Sequence, residues 1–245
     1  RWDCITALPK QEGGFWGILT ARPWPKTRGM SYESIGRVES EDGLHWHSVA
    51  PMDVDWGDWP KMNVNEPVGL EKIGSRYYIL MGYGASADYL GDRHLWNSLG
   101  SRAGMYTFVA DDPEGPCRPD FEAFPLLVSN SWYIPISRRS MTAWCARFYR
   151  VNDELFVHHH SISRSGLVWF ALLKKALIDE KGHLSLGYWQ GNDSIKGKPI
   201  EIDLGACKPV YPVWDNPDGR HFPWDFSSSP KITPNRLEIN EPHSG

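Results

Sequence analysis

No run of apolar residues in this chain approaches the roughly 18 that a membrane-crossing helix requires, so no membrane span is expected. Strongly basic stretches are also missing. Lys and Arg number 26 against 30 Asp and Glu, for a formal net charge of -4, which makes nucleic acid a poor partner. The chain has no CxxC pair; Cys4, Cys117, Cys145 and Cys207 are widely spaced, against a zinc ribbon or a thioredoxin-type site. Four cysteines permit three pairings, and free thiols stay equally open. There is no GxGxxG, no P-loop and no metalloprotease helix motif, so neither nucleotide cofactor nor metal is expected. No long segment carries a 3.6-residue period. The nearest, "ALLKKALIDEKGHL", is broken by an Asp-Glu-Lys-Gly turn and leads into the alternating "HLSLGYW", which favours strands. The opening "RWDCITALPK" lacks the basic, apolar and small-residue zones of a leader and begins directly on a strand. A natural portion upstream is therefore expected.

What the chain does have is aromatic side chains and turns. Its 245 residues are 41% apolar, enough for a substantial core. Thirteen Trp, ten Tyr and nine Phe suit either a β-core or stacking on the C–H faces of sugar rings. Gly, Pro and Asp-Gly turns punctuate short strands throughout. Three units share one grammar. The first runs from "RWDCITALPKQEGGFWGILTARP" to "SYESIGRVESEDGLHWHSVAP". The second runs from "NEPVGLEKIGSRYYILMGYG" to "RAGMYTFVADDPEGPCRPDF", and the third from "MTAWCARFYRVNDELFVHHHSIS" to "LVWFALLKKALIDEKGHLSLGYW". Four strands per unit with variable loops is the signature of propeller blades, so the expected fold is an all-β propeller. The pattern changes after residue 190. Blades are expected over residues 1–190, and 191–245 forms a C-terminal β segment, either a last blade or the start of a β-sandwich. Propellers have about four to eight blades, so three units imply either an unrecognised blade in the tail or, preferentially, a longer polypeptide.

Polar residues at matching points on successive inner strands of a propeller converge near its axis. Aligning the units places Asp3, Glu66 and the "WCAR" segment, Trp144 to Arg147, in one layer. Two carboxylates and a guanidinium there suit cleavage of a glycosidic bond, one carboxyl protonating the leaving oxygen while the other acts as base or nucleophile. An acid before a proline is also an ordinary turn former, and Arg147 is equally a structural ion-pair partner. In "VHHHSI", His158 and His160 share one strand face and His159 takes the other, so this segment alone cannot make a three-histidine metal site. His159 is a candidate sugar contact, with a hydrogen-bonded core histidine as the alternative. "VDWGDWP" alternates Asp55 and Asp58 with Trp56 and Trp59, either a rim at a pocket mouth or packed loop tryptophans. The long loop with Arg93, His94, Trp96 and Arg102 is the best candidate substrate lid. "SEDGLHWHS" reads as an outer-hairpin turn in which Asp42 is structural, and "GNDS" at Asn192 fits a weak glycosylation acceptor.

These motifs together resemble the five-bladed β-propeller glycoside hydrolases, the group of arabinanases, xylosidases, invertases and fructanases. The strand of "NEPVGLEKIGSRYYILMGYG" is similar to that group's acidic-residue–proline strand followed by a Tyr-Tyr strand. "SEDGLHWHSVAP" is similar to its Ser-x-Asp-Gly-x-Trp hairpin, and "LLKKALIDEKGHLSLGYWQGNDSIKGKPIEI" to the passage from propeller to sandwich. The resemblance implies a secreted or periplasmic glycosidase acting on an oligo- or polysaccharide, without an obligatory cofactor. Glu66 and Asp3 would be its catalytic acids, with Arg147, Trp144, His94, Trp96, Trp56 and His159 as substrate contacts. The group uses three carboxylates, and the third unit offers none at the matching point. Two alternatives stand beside this reading. One is a polysaccharide lyase-like propeller acting on uronates through a histidine or tyrosine; the other is a non-catalytic carbohydrate-binding propeller.

Overall fold

The computed structural model describes residues 2–21, 34–57, 66–83, 104–123, 126–128, 141–163, 168–199, 201, 231–233 and 236–238. His94, Trp96, Arg93, Arg102, Asp58, Trp59 and Cys207 lie outside them. The chain divides into two compact units, Arg1–Tyr188 and Trp189–Gly245.

Among the described residues, the first unit holds three antiparallel sheets, each made from consecutive strands. In the first, β1 (Trp2–Pro9), β2 (Phe15–Ala21), β3 (Ser34–Ser40) and β4 (His47–Asp53) lie side by side in chain order. The second orders β5 (Glu66–Ile73), β6 (Arg76–Tyr83), β7 (Gly104–Ala110) and β8 (Arg118–Pro119), with β9 (Leu127–Val128) also on β7. The third orders β10 (Met141–Val151), β11 (Glu154–Ser163), β13 (Lys174–Ile178) and β14 (Leu184–Gly187), with β12 (Val168–Phe170) also on β11. β1 packs beside β5, and β5 beside β10. Three four-stranded meanders with their first strands adjacent are three blades of a β-propeller.

Turn chemistry makes each meander possible. The "SEDGLHW" turn of the first blade is held by Asp42, whose Oδ1 accepts from the backbone N–H groups of Leu44 and His45, both at 2.8 Å. Ser40 Oγ accepts from Gly43 N at 2.8 Å, and Gly43 sits at φ 76°, a left-handed conformation that costs glycine little. Those bonds hold the Asp42 carboxyl well below its ordinary range, with the backbone N–H of His45 as the largest cause. Asp42 is structural, as its sequence context implied.

The middle blade explains its own composition. All seven residues of β7 are buried, because both faces of this sheet are covered. Adjacent residues of β6 point opposite ways. Tyr77 meets Trp16 of the first blade edge-on, with ring centroids 5.3 Å apart, and Tyr78 donates its hydroxyl to Gly182 O of the third blade at 2.8 Å. The Tyr-Tyr pair is thus one anchor for each neighbour. Val68, Tyr78, Leu80, Met105, Val109, Ala146, Val157 and Leu184 form a core shared by the second and third blades. Polar clasps rim it: Arg150 Nη2 reaches Glu71 Oε1 at 2.8 Å, and His183 lies between Asp120 (2.8 Å) and Glu122 (3.0 Å).

In the second unit, residues Gln190–Ile195 form a 3-10 helix, and β15 (Lys231–Thr233) pairs with β16 (Arg236–Glu238). Asn192 is 7% exposed within that helix, so its amide is not presented as a glycosylation acceptor.

Candidate active site

Each innermost strand carries an irregularity at the same place. In β1, Asp3 faces Thr20 and Thr6 faces Ile18, so Cys4 and Ile5 together oppose Leu19. In β10, Trp144 faces His160 and Arg147 faces His158, so Cys145 and Ala146 oppose His159. In β5, Pro67 faces Met81 and Gly69 faces Leu80, leaving Val68 as the extra residue. Such bulges bend a strand and re-aim the side chains beside them. Counting back three from Thr6, Gly69 and Arg147 gives Asp3, Glu66 and Trp144 as equivalent positions. Cys4 and Cys145 also correspond, and both take left-handed backbone, at φ 58° and 49°.

The bulges bring these side chains together. A carboxylate oxygen of Asp3, the Cys4 sulfur and a carboxylate oxygen of Glu66 all lie within 4.8 Å of one another, and all three residues are half-buried. Cys4 N donates to Asp3 Oδ1 at 3.0 Å, and its thiol lies 3.6 Å from the same oxygen. Trp144 Nε1 donates to Glu66 Oε2 at 2.6 Å, a charge-assisted bond that fixes the carboxylate's direction. Glycine makes room for that indole. A Cβ on Gly82, the ladder partner of Glu66, would stand 3.1 Å from Trp144 Cζ2. Burial first, then the carboxylates of Glu66 and Asp3, pushes the Cys4 thiol up to about 12. Cys145 is raised as well, by burial and then by Glu66. Both thiols are therefore protonated at neutral pH and are poor nucleophiles.

The remaining candidates fall in different places. Arg147 is exposed and makes no ion pair among the described residues. His158 and His160 share a face, as both rings meet Phe170, with centroids 5.9 and 5.1 Å away. His159 turns the other way. It is 7% exposed, its Nδ1 lies 2.9 Å from His160 O, and its Nε2 accepts from Lys174 Nζ at 3.2 Å. That is a satisfied interior histidine, not an open sugar contact. Trp56 takes the packed position of its two alternatives and is not a substrate contact at a rim. At 5% exposure it packs edge-on against Phe108, centroids 5.8 Å apart, because the segment after β4 is drawn between blades. Asp55 N donates to Cys117 O at 2.7 Å and Cys117 N to Asp53 O at 2.9 Å, which clamps that segment and keeps Trp56 away from any rim. Cys4, Cys117 and Cys145 are free thiols. A cleft of about 700 Å³ opens at the far ends of β1 and β5, lined by Lys10, Glu39, Glu71 and Lys72 among others, and does not include Asp3 or Glu66.

Burial, the largest cause at both His158 and His159, holds their imidazoles below the ordinary 6.5. The unfolded chain then binds protons that the folded chain refuses, so stability falls as pH drops through that value. The urea midpoint is expected to decrease between about pH 7 and about pH 5, before the carboxylates titrate, and His159→Gln is expected to flatten this slope.

No protein-family model matches the chain, and no curated protein does. Among solved structures it is similar to an exo-1,5-α-L-arabinanase from a bovine ruminal metagenomic library, at 12% identity and TM-score 0.47, covering 76% of this chain and 57% of that one. It is similar to Zg3597, a family 117 glycoside hydrolase of Zobellia galactanivorans, at 13% identity and TM-score 0.49, covering 77% of this chain and 56% of that one. A third is the GH43 protein BlXynB from Bacillus licheniformis, at 14% identity and TM-score 0.48, covering 74% of this chain and 30% of that one. This chain spans little more than half the length of the first two.

Proposed function

We propose that the protein is a glycoside hydrolase that cleaves an oligo- or polysaccharide through paired carboxylates. The observation that supports this most is the meeting of Asp3 and Glu66, brought from two blades to within 4.8 Å of each other. One carboxyl protonates the leaving glycosidic oxygen, and the other opposes the positive charge that develops on the sugar ring. Arg147, exposed and without an ion pair among the described residues, is the candidate for gripping substrate oxygens. A secreted or periplasmic location goes with the proposal.

Trp144 is a positioning residue in this scheme, since its indole N–H holds one Glu66 oxygen while leaving the other to react. Trp144→Phe removes a hydrogen bond to a charged group, worth about 1.5–3 kcal/mol, so kcat should fall roughly 10- to 150-fold. KM should change little, and the pH–rate profile should shift, which a merely structural loss would not cause.

A lyase reading has one specific point in its favour. Arg147 faces His158 across the β10–β11 ladder, a pairing of cation and base suited to a uronate. A panel of plant and microbial glycans separates the two, with reducing ends and the unsaturated-uronate absorbance followed together. The hydrolase reading expects new reducing ends without that absorbance. Both signals together, or neither, would overturn it.

A further inference from the structure

We propose that Asp3, Cys4, Glu66 and Cys145 form a binding site for a zinc-class divalent cation, and that its occupancy withdraws the carboxylate pair from catalysis. The second half rests on the hydrolase reading; the site itself does not. Three strands contribute to it: β1 gives Asp3 and Cys4, β5 gives Glu66 and β10 gives Cys145. Three of the donor atoms already lie within 4.8 Å of one another. Donors on one tetrahedral zinc are separated by about 3.3–3.8 Å, so these three, Asp3, Cys4 and Glu66, draw together around the ion, and Cys145 is the fourth donor that the proposal adds. Cys145 occupies in β10 the bulge position that Cys4 occupies in β1, and both thiols pack against the same core on either side of β5.

The donor chemistry selects the ion. Two carboxylates alone would suit calcium or magnesium, but thiols disfavour hard cations and favour zinc, cobalt or cadmium. Negative charge is concentrated here, as Glu66 and Asp3 both act on both thiols. A dication reverses that field, and each thiol gives its proton to solvent as its metal–sulfur bond forms. Trp144 supplies the outer shell. By holding Glu66 Oε2 it fixes the carboxylate's direction, the orienting role that outer hydrogen bonds play at metal centres. A cation held by Asp3 and Glu66 leaves neither able to transfer a proton to a sugar.

The test is a titration of the chelator-treated protein with Co²⁺, reading the thiolate-to-cobalt charge-transfer band, followed by displacement with Zn²⁺. One equivalent of Co²⁺ should develop the band, Zn²⁺ should abolish it, and Zn²⁺ should raise Tm by binding only the folded state. Cys4→Ser should weaken Zn²⁺ binding at least tenfold and diminish the band, and Cys145→Ser should do the same from the other strand. Cys117→Ser, a buried thiol beside the Asp53–Asp55 segment, should leave the titration unchanged. If either cluster variant fails to fold, the other decides. No thiolate band in the unsubstituted protein, or a band that survives both cluster substitutions, overturns the site. Zn²⁺ bound at Cys4 with glycan hydrolysis unaffected overturns the inhibitory half alone.

Discussion

Glu66→Gln is expected to lower turnover of a susceptible glycan by roughly 10²–10⁴-fold while leaving Tm unchanged. The substitution separates chemistry from architecture. Glutamine keeps an oxygen to accept from Trp144 Nε1, and it keeps the volume of the side chain beside Gly82. It can neither give nor take the proton that cleavage requires. Asp3→Asn should fall alongside it, since both groups serve one bond. Full activity in Glu66→Gln, with the fold shown intact by circular dichroism, would remove Glu66 from the mechanism and the hydrolase reading with it.

Tyr78→Ala carries the largest expected effect on stability. Its ring lies in the core shared by the second and third blades, and its hydroxyl closes the contact to Gly182 O at 2.8 Å. Burial pushes the phenol's ionisation upward, as expected for a hydroxyl kept neutral among apolar neighbours. Removing a buried ring of this size costs about 3–5 kcal/mol, so Tm should fall on the order of 10 °C. Tyr78→Phe, which loses only the hydroxyl bond, should cost about 1 kcal/mol. Thermal melts of the two variants, side by side, separate packing from hydrogen bonding. Equal small losses would mean that the second and third blades are not held together through this ring.

The repeat was legible because its signals are local. Asp-Gly and Gly-Ser turns, strands of alternating side chains and the Tyr-Tyr anchor are all written within a few residues of each other. Matching the units already set Asp3, Glu66 and the segment from Trp144 to Arg147 in one layer, without singling out Trp144 as the residue level with the two acids. What that alignment did not show was how they meet. The bulges depend on ladder register with a partner strand, and two of them place cysteine in left-handed backbone, where glycine or asparagine would be the ordinary choice. "WDC" and "AWCAR" share an aromatic and a cysteine, which is the only sequence trace of that equivalence. The Trp144–Glu66 bond joins residues 78 positions apart and had no local signal at all. The choice between a rim and a packed position for Trp56 was left open for the same reason. Nothing in "VDWGDWP" says that the backbone around Asp55 pairs with Cys117, and that pairing carries the indole inward. His159 could be assigned to a strand face by alternation, but its acceptor role toward Lys174 depends on β13 returning beside β11.

The most direct measurement is a crystal structure of the Glu66→Gln protein soaked with the glycan that the unsubstituted protein cleaves. It should show the scissile oxygen about 3 Å from the side chain at position 66, with the Asp3 carboxylate turned to the same sugar ring. A sugar seated on another face, with Asp3 and residue 66 both untouched, would contradict the account.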